Sequence, residues 1–298
     1  EEIHPDIIQL HHIHGYFLNM EVLFKYLSSI STPVVWVFHD CWSMTGHCAH
    51  FDYVGCEKWL THCETCVQKK IYPGSVLIDR SFKNYELKKK LFTSMENLTI
   101  VPVSQWLGMI VKKSFLKNYP INVIQNGIDL KLFSPQSLQS VCAMRNKLGL
   151  AEQTSVLLGV ASIWDKRKGL EDFVQLYNMI SEDWVIVLVG LSKTQLKEIP
   201  DGIIGIERTE NVTQLATLYT LASVFINPTW EDTFPTTNLE SLACGTPVIT
   251  YRTGGSVESV SDETGYIVEK GDIKGIKRAV AEIVKRGKEV YHHICRKR

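Results

Sequence analysis

No apolar run in this sequence approaches the ~18–20 residues that a membrane-spanning helix requires. The longest, around Trp184–Leu191 and Ser155–Trp164, are of strand length. Net charge is also missing: 32 basic side chains balance 32 acidic ones, which argues against a general nucleic-acid binder relying on excess positive charge. No internal repeat and no low-complexity tract is found, so repeat arrays and wholesale disorder are excluded. The opening Glu1-Glu2-Ile3-His4-Pro5-Asp6 has neither a basic stretch nor an apolar core, so no secretory leader is visible, and an incomplete N-terminus is expected. What is present is ordinary for a globular protein. Hydrophobic residues make up 45% and charged residues 21% of 298 residues, a length that suggests two domains.

Short β-branched runs alternate with stretches of helical period. The expected strands are Ile7–Leu10, Val34–Phe38, Thr99–Val103, Val123–Gln125, Val156–Ala161, Val185–Gly190, Val224–Asn227 and Pro247–Tyr251. Runs this short, apolar throughout and bounded by polar turns, suit strands buried on both faces of a parallel sheet. Between them, Gly169–Ile180 places Leu170, Phe173, Val174, Tyr177 and Ile180 on one face, and Val212–Ser223 does the same with Leu215, Leu218, Tyr219 and Ala222. The alternation predicts an α/β architecture with right-handed crossovers. The softest stretch, around Ser134-Pro135-Gln136-Ser137, divides the chain into expected domains 1–135 and 136–298.

The most informative segment runs from Asn227 through Trp230-Glu231-Asp232 and Thr236-Thr237 to Glu240, Cys244-Gly245-Thr246-Pro247 and Tyr251. It reads as a strand end, an acidic loop, a short helix starting near Thr236 and stopping at Gly245, and a further strand. Backbone N–H groups at the helix start can hold an anion such as a diphosphate. Glu240, about one turn in, can accept two hydrogen bonds from a vicinal diol. Open α/β sheets bind ligands at this edge. The alternative is an acidic loop followed by a capped amphipathic helix.

This segment resembles the signature of the retaining glycosyltransferases of family 4. The resemblance implies the GT-B fold, two Rossmann-like domains with parallel sheets. In that family seven residues separate the first acid, which contacts the transferred sugar, from the Glu that holds the nucleotide ribose. Here the spacing runs from Asp232 to Glu240, and Glu231 is one residue early, so either acid can fill the role. The stretch from Gly159 to Gly169 is similar to the loop whose Arg and Lys clamp the donor diphosphate. Lys168-Gly169 fits, whereas Ser162 or Ile163 stands at the usual Arg position, so Arg167 is the candidate substitute. A cation is needed there because a leaving diphosphate gains charge in the transition state. Val189-Gly190 and Gly254-Gly255-Ser256-Val257-Glu258 match further donor-site loops, and base recognition is expected near Ile206–Thr209, with Arg208 among the donor-binding residues.

In the first half, the resemblance implies that His39, at the end of the Val34–Phe38 strand, contacts the donor sugar. His14 and Gly15 are expected on the acceptor side, together with Ser104 at a strand end and Asn126 of the Asn126-Gly127-Ile128-Asp129 turn. Family members normally begin with a βαβ unit and a glycine-rich loop, so about 70 residues are expected to be missing by that pattern. The last helix is expected to pack back on the N-terminal domain. Retention implies that the leaving diphosphate assists the incoming hydroxyl on the same face. No cofactor is expected for catalysis, and Asp-x-Asp, the signature of metal-dependent sugar transfer, is absent from the sequence.

Four of the eight cysteines, Cys48, Cys56, Cys63 and Cys66, cluster in an expected insertion at about 41–73. Structural Zn²⁺ is the leading reading, with reduced thiols and disulfides as alternatives. The zero charge is unevenly spread. Between Lys69 and Lys117 there are ten Lys or Arg against three acids, either a solvated helix face or a patch for anionic lipid. The expected activity is metal-independent retaining sugar transfer from a nucleotide-diphosphate sugar to a saccharide or lipid-linked acceptor, in the cytoplasm or peripherally at the inner membrane face, with no nucleic-acid partner. A catalytically impaired GT-B module that binds nucleotide sugar or partners another subunit is the alternative. An epimerase acting on nucleotide sugars fits the acidic loop less well.

Overall fold

The computed structural model describes residues 3–15, 17–75 and 77–297. The chain forms two compact units, Glu1–Asn126 and Gly127–Arg298. The division falls at the Asn126-Gly127 turn, ahead of the Ser134–Ser137 stretch.

The first unit holds a three-stranded parallel sheet of β1 (Ile8–Leu10), β2 (Val34–Phe38) and β3 (Leu98–Pro102), in that order. Ile8 pairs with Val34, and Val34 with Leu98. Helices α1 (Met20–Leu27), α2 (Ser81–Phe92) and α3 (Gln105–Lys113) accompany it. Phe24 packs against Phe92 at 4.4 Å between ring centroids, and Trp36 meets both Phe92 and Phe38 at 4.9 Å. These aromatic pairs bury large areas and gain further from tilted and edge-to-face geometry. Polar caps start the helices: the Asn19 side chain accepts from the N–H groups of Glu21 and Val22, and Ser104 from that of Leu107.

The second unit is a six-stranded parallel sheet with helices α4 (Leu138–Lys147), α5 (Leu170–Tyr177), α6 (Gln195–Glu198), α7 (Val212–Leu221), α8 (Thr236–Ala243), α9 (Ile273–Arg286) and α10 (Glu289–Cys295). Its strands are β4 (Ser155–Val160), β5 (Trp184–Val189), β6 (Ile203–Ile206), β7 (Val224–Asn227), β8 (Val248–Tyr251) and β9 (Gly265–Val268), in the spatial order β6-β5-β4-β7-β8-β9. From β4 the chain builds outward to one side through β5 and β6, then returns to build the other side from β7. This reversal leaves a crevice beyond the carboxyl ends of β4 and β7, the switch point where doubly wound sheets bind ligands. The apolar stripe of α9, Ile273, Ile276, Ala279, Val280 and Ile283, is buried in the core.

Some expectations change. Val123–Gln125 is not a strand: Ile124 N–H donates to Pro102 O at 3.1 Å, but pairing with β3 stops at a single bridge, Ile100 to Ile121. Strands β6 and β9 were not anticipated, since each is short and contains a glycine. The helix expected from Gly169 is shorter. A 3₁₀ turn, Lys166–Lys168, precedes it, Gly169 takes φ 77°, and α5 ends at Tyr177. Among the described residues no helix is long and apolar enough to cross a membrane.

Candidate active site

The crevice of the second unit comprises two cavities that share Val160, Ala161, Ser162 and Thr237. The smaller, about 220 Å³, is also lined by Lys168, Asn227, Asp232 and Thr236. The larger, about 630 Å³, extends past Gly190 and Arg208 to Glu240. Local sequence explains the placement. α8 begins directly after Pro235, whose side chain offers no cap, so the first backbone N–H groups, at Thr236 and Thr237, belong to residues lining the crevice. Gly190 adopts φ +96°, and a Cβ there would lie 1.7 Å from the Ala161 carbonyl oxygen. Only glycine lets the loop after β5 approach the loop after β4 so closely.

The basic turn is held by an acid that the sequence reading did not single out. Asp165 accepts from the N–H groups of Arg167 (2.9 Å) and Lys168 (3.1 Å), capping the 3₁₀ turn. Its signal was the Asp standing three residues before Lys168. The two cations then differ. The Arg167 guanidinium donates to Asp165 at 2.9 and 3.1 Å and to the buried Glu231 carboxylate at 3.3 Å. Lys168 Nζ reaches Asp232 at 2.6 Å, and both residues line the smaller cavity. Of the two acids left open by the spacing, Asp232 therefore faces the crevice, while Glu231 is only 2% exposed.

Glu240 accepts a hydrogen bond from the Tyr219 hydroxyl at 2.9 Å. Burial pushes its carboxyl above the ordinary value, with the Tyr219 and Thr236 hydrogen bonds acting in the opposite sense. A second buried acid anchors the acidic loop: Asp172 accepts from Tyr251 Oη at 2.7 Å and from Trp230 Nε1 at 2.9 Å.

In the first unit, His39 follows β2 and lies against the histidines after β1. Its Nε2 is 2.9 Å from His11 Nδ1, and its ring stacks on His12 at 4.8 Å. Burial and the neighbouring His12 and His11 lower its pKa. His14 Nε2 donates to Asp40 at 2.8 Å, and His12 Nδ1 is 3.4 Å from the same oxygen. Although Asp40 is buried, the hydrogen bonds from His12 and His14 hold its carboxyl well below the usual range. Gly15 is exposed, and Asn126 closes the unit. Ser104 sits differently from the expectation of an open strand end: it is fully buried, and its hydroxyl is the cap of α3.

The four clustered cysteines lie in one loop without disulfides. Cys48 and Cys66 hydrogen-bond through sulfur, which brings the Cys66 thiol down to about 7. Among the described residues, the compact metal-ligating set is not these sulfurs but His12, His14 and Asp40, whose donor atoms lie within 4.8 Å of one another.

The family model described as Glycosyl transferases group 1 matches residues 154–286. The chain is similar to the putative colanic acid biosynthesis glycosyl transferase WcaC of Escherichia coli (strain K12), at 33% identity over 134 residues, covering 42% of this chain and 32% of that protein. Across eight curated relatives the matched region spans 32% to 55% of their length. Sucrose-phosphate synthase from Thermosynechococcus elongatus superposes with a TM-score of 0.68 at 20% identity, covering 97% of this chain and 67% of that one. Anabaena Alr3699/HepE in complex with UDP-glucose gives a TM-score of 0.66 at 16% identity, covering 98% and 72%.

Proposed function

We propose that this protein moves a sugar from a nucleoside-diphosphate sugar to a saccharide or lipid-linked acceptor, with retention of anomeric configuration, a reading supported by the match of residues 154–286 to the glycosyl transferases group 1 and by the GT-B fold. The transfer would serve surface polysaccharide or glycolipid synthesis. The observation that carries this reading is the switch-point crevice, where an uncapped helix start, Lys168 and Glu240 lie along one lining.

In this reading the base and ribose occupy the larger cavity, and Glu240 accepts from the ribose diol. The diphosphate rests on the N–H groups of Thr236 and Thr237, and Lys168 exchanges Asp232 for it. The bond from the anomeric carbon to the β-phosphate oxygen breaks while the acceptor oxygen attacks the same face, and the acceptor proton passes to that phosphate oxygen. The protein's part is positioning and charge stabilisation, without a catalytic metal. In this reading Asp232 meets the transferred sugar, and Arg167 organises the loop through Asp165 and Glu231. His39 serves the donor sugar, and His14, Gly15 and Asn126 serve the acceptor.

The basic stretch between Lys69 and Lys117 supports peripheral contact with an anionic membrane face, with one correction: Lys88 is 1% exposed and cannot contribute. Cys48, Cys56, Cys63 and Cys66 are the proposed ligands of a structural zinc. Four thiols suit that ion, and Cys66 is already biased toward thiolate. The deciding experiment is thermal protection by UDP and GDP. One of them should raise Tm in the wild type and not in Glu240→Ala. If neither nucleotide binds, the proposal fails.

A further inference from the structure

A cavity of about 310 Å³ lies wholly within the first unit and takes no part in the donor chemistry above. Its polar lining is Arg80, Lys88, His14, His47, Asn84 and Ser75, with no carboxylate among them. The nearby acids are committed elsewhere. Asp40 accepts from His14 and from Trp42 N–H (2.8 Å), and Asp79 from the N–H groups of Cys66 (2.6 Å) and Ser81 (2.8 Å).

Two of the lining side chains have unfilled hydrogen-bonding capacity. His14 Nδ1 and His47 Nε2 are buried without a partner, and both rings are more than nine-tenths buried. Buried nitrogens in this condition are expensive unless something meets them. Lys88 fixes the wall. It is fully buried, its Nζ donates to Trp42 O (2.6 Å) and Thr45 O (2.9 Å), and it lies 3.4 Å from the centroid of the Trp42 ring.

The remaining lining is apolar, including Ile13, Leu18, Met20 and Ile78. Beside it the chain exposes Ile71, Tyr72, Leu77 and Ile78, with Leu77 85% exposed. A carboxylate-free pocket that carries the Arg80 guanidinium and opens onto an apolar rim suits an oxyanion joined to a hydrocarbon chain.

We propose that this cavity binds the phosphate of a lipid-linked acceptor, with the lipid chain leaving over Ile71, Tyr72, Leu77 and Ile78. The assignment rests on the glycosyltransferase reading for its role, since it names the acceptor class. The phosphate accepts from Arg80 and Asn84 at the start of α2, and its protonated oxygen donates to His14 Nδ1, the lone-pair nitrogen of a ring whose Nε2 donates to Asp40.

The test is calorimetric titration of the whole chain with farnesyl phosphate, farnesol, inorganic phosphate and glucuronate. Farnesyl phosphate should bind at one site. Arg80→Gln and Asn84→Leu should each weaken it about tenfold or more, as loss of hydrogen bonds to a charged group implies. Farnesol and inorganic phosphate should each bind about tenfold more weakly or worse. Circular dichroism and a thermal transition at the wild-type level confirm that the variants are folded. Equal affinity in both variants, or glucuronate binding where farnesyl phosphate does not, overturns the assignment. Nucleotide binding retained without farnesyl phosphate binding defeats this pocket alone. Farnesyl phosphate binding without nucleotide binding supports the pocket and defeats the donor reading.

Discussion

The hydroxyl of Tyr219 stands 2.9 Å from the carboxylate of Glu240, with the phenol fully buried. This bond orients Glu240 where it lines the larger cavity, and it opposes the upward push that burial exerts on that carboxyl. The diol donates, so Glu240 must be ionised to accept from it fully. Nucleotide affinity is therefore expected to be present at neutral pH and to be lost as pH falls through a value above the ordinary glutamate range. Tyr219→Phe removes the opposing hydrogen bond, so its acid edge should move to higher pH. Glu240→Ala should weaken nucleotide binding by ten- to a hundredfold, equivalent to about 1.5–3 kcal/mol. Calorimetric titration from about pH 5 to 8 checks both. An acid edge that does not move in Tyr219→Phe contradicts the coupling.

Lys168 is held by Asp232 at 2.6 Å, so a diphosphate bound in the crevice must take over that cation. In Lys168→Ala the affinity for the nucleoside diphosphate should fall about tenfold or more, while that for the bare nucleoside stays unchanged. Equal losses for the two ligands would mean that Lys168 acts on the loop rather than on the phosphates.

The legible parts of this molecule were those in which one local cause decided the outcome. The apolar runs of β2 and β7 appear with the bounds expected from sequence, because β7 is buried on both faces and β2 buries Val34, Trp36 and Phe38 on one, which leaves little freedom in their ends. α8 starts at Thr236 as read, since Pro235 presets the entry and Gly245, at φ +77°, permits the exit. Strands β6 and β9 were not legible. Their glycines weaken the propensity signal, and their place comes from pairing with β5 and β8. The ionic detail of the site was partly hidden for a similar reason. Spacing fell on Asp232 but left Glu231, one residue early, open for the same role, and the distinction depends on Arg167 taking one and Lys168 the other. Lys88 shows the limit of charge patterning. It sits in a run of three lysines, yet it alone of the three is buried, over Trp42.

Gly190→Ala should unfold or strongly destabilise the second unit. Its φ of +96° disfavours any side chain, and the clash at 1.7 Å is with backbone, which cannot rotate away. A loss of more than about 2 kcal/mol is expected, measured by denaturant titration. A variant as stable as the wild type would show that the loops after β4 and β5 separate readily.

Freshly purified protein should carry about one equivalent of zinc, and substitution of Cys63 or Cys66 by Ser should abolish it. The Cys48 and Cys66 sulfurs already meet, so closing the set requires Cys56 and Cys63 to move toward that pair. Content far below one equivalent by elemental analysis excludes zinc and leaves the loop as reduced thiols.

Lys288 closes the end of α7 from another helical segment. Its Nζ donates to the carbonyl oxygens of Tyr219 (3.4 Å), Thr220 and Ala222 (2.9 Å), acceptors that a helix terminus leaves unfilled. Lys288→Met keeps most of the packing volume but removes all three donors, so a loss of about 1–3 kcal/mol is expected. Burial lowers this amine to about 8 from an ordinary 10.5. Between those values the unfolded chain holds the proton and the folded chain does not, so this group makes stability rise with pH across the window. The same rise should be missing in Lys288→Met. Parallel stability curves for the two proteins between pH 8 and 10.5 would show that the folded amine keeps its proton and that its three carbonyl partners outweigh burial.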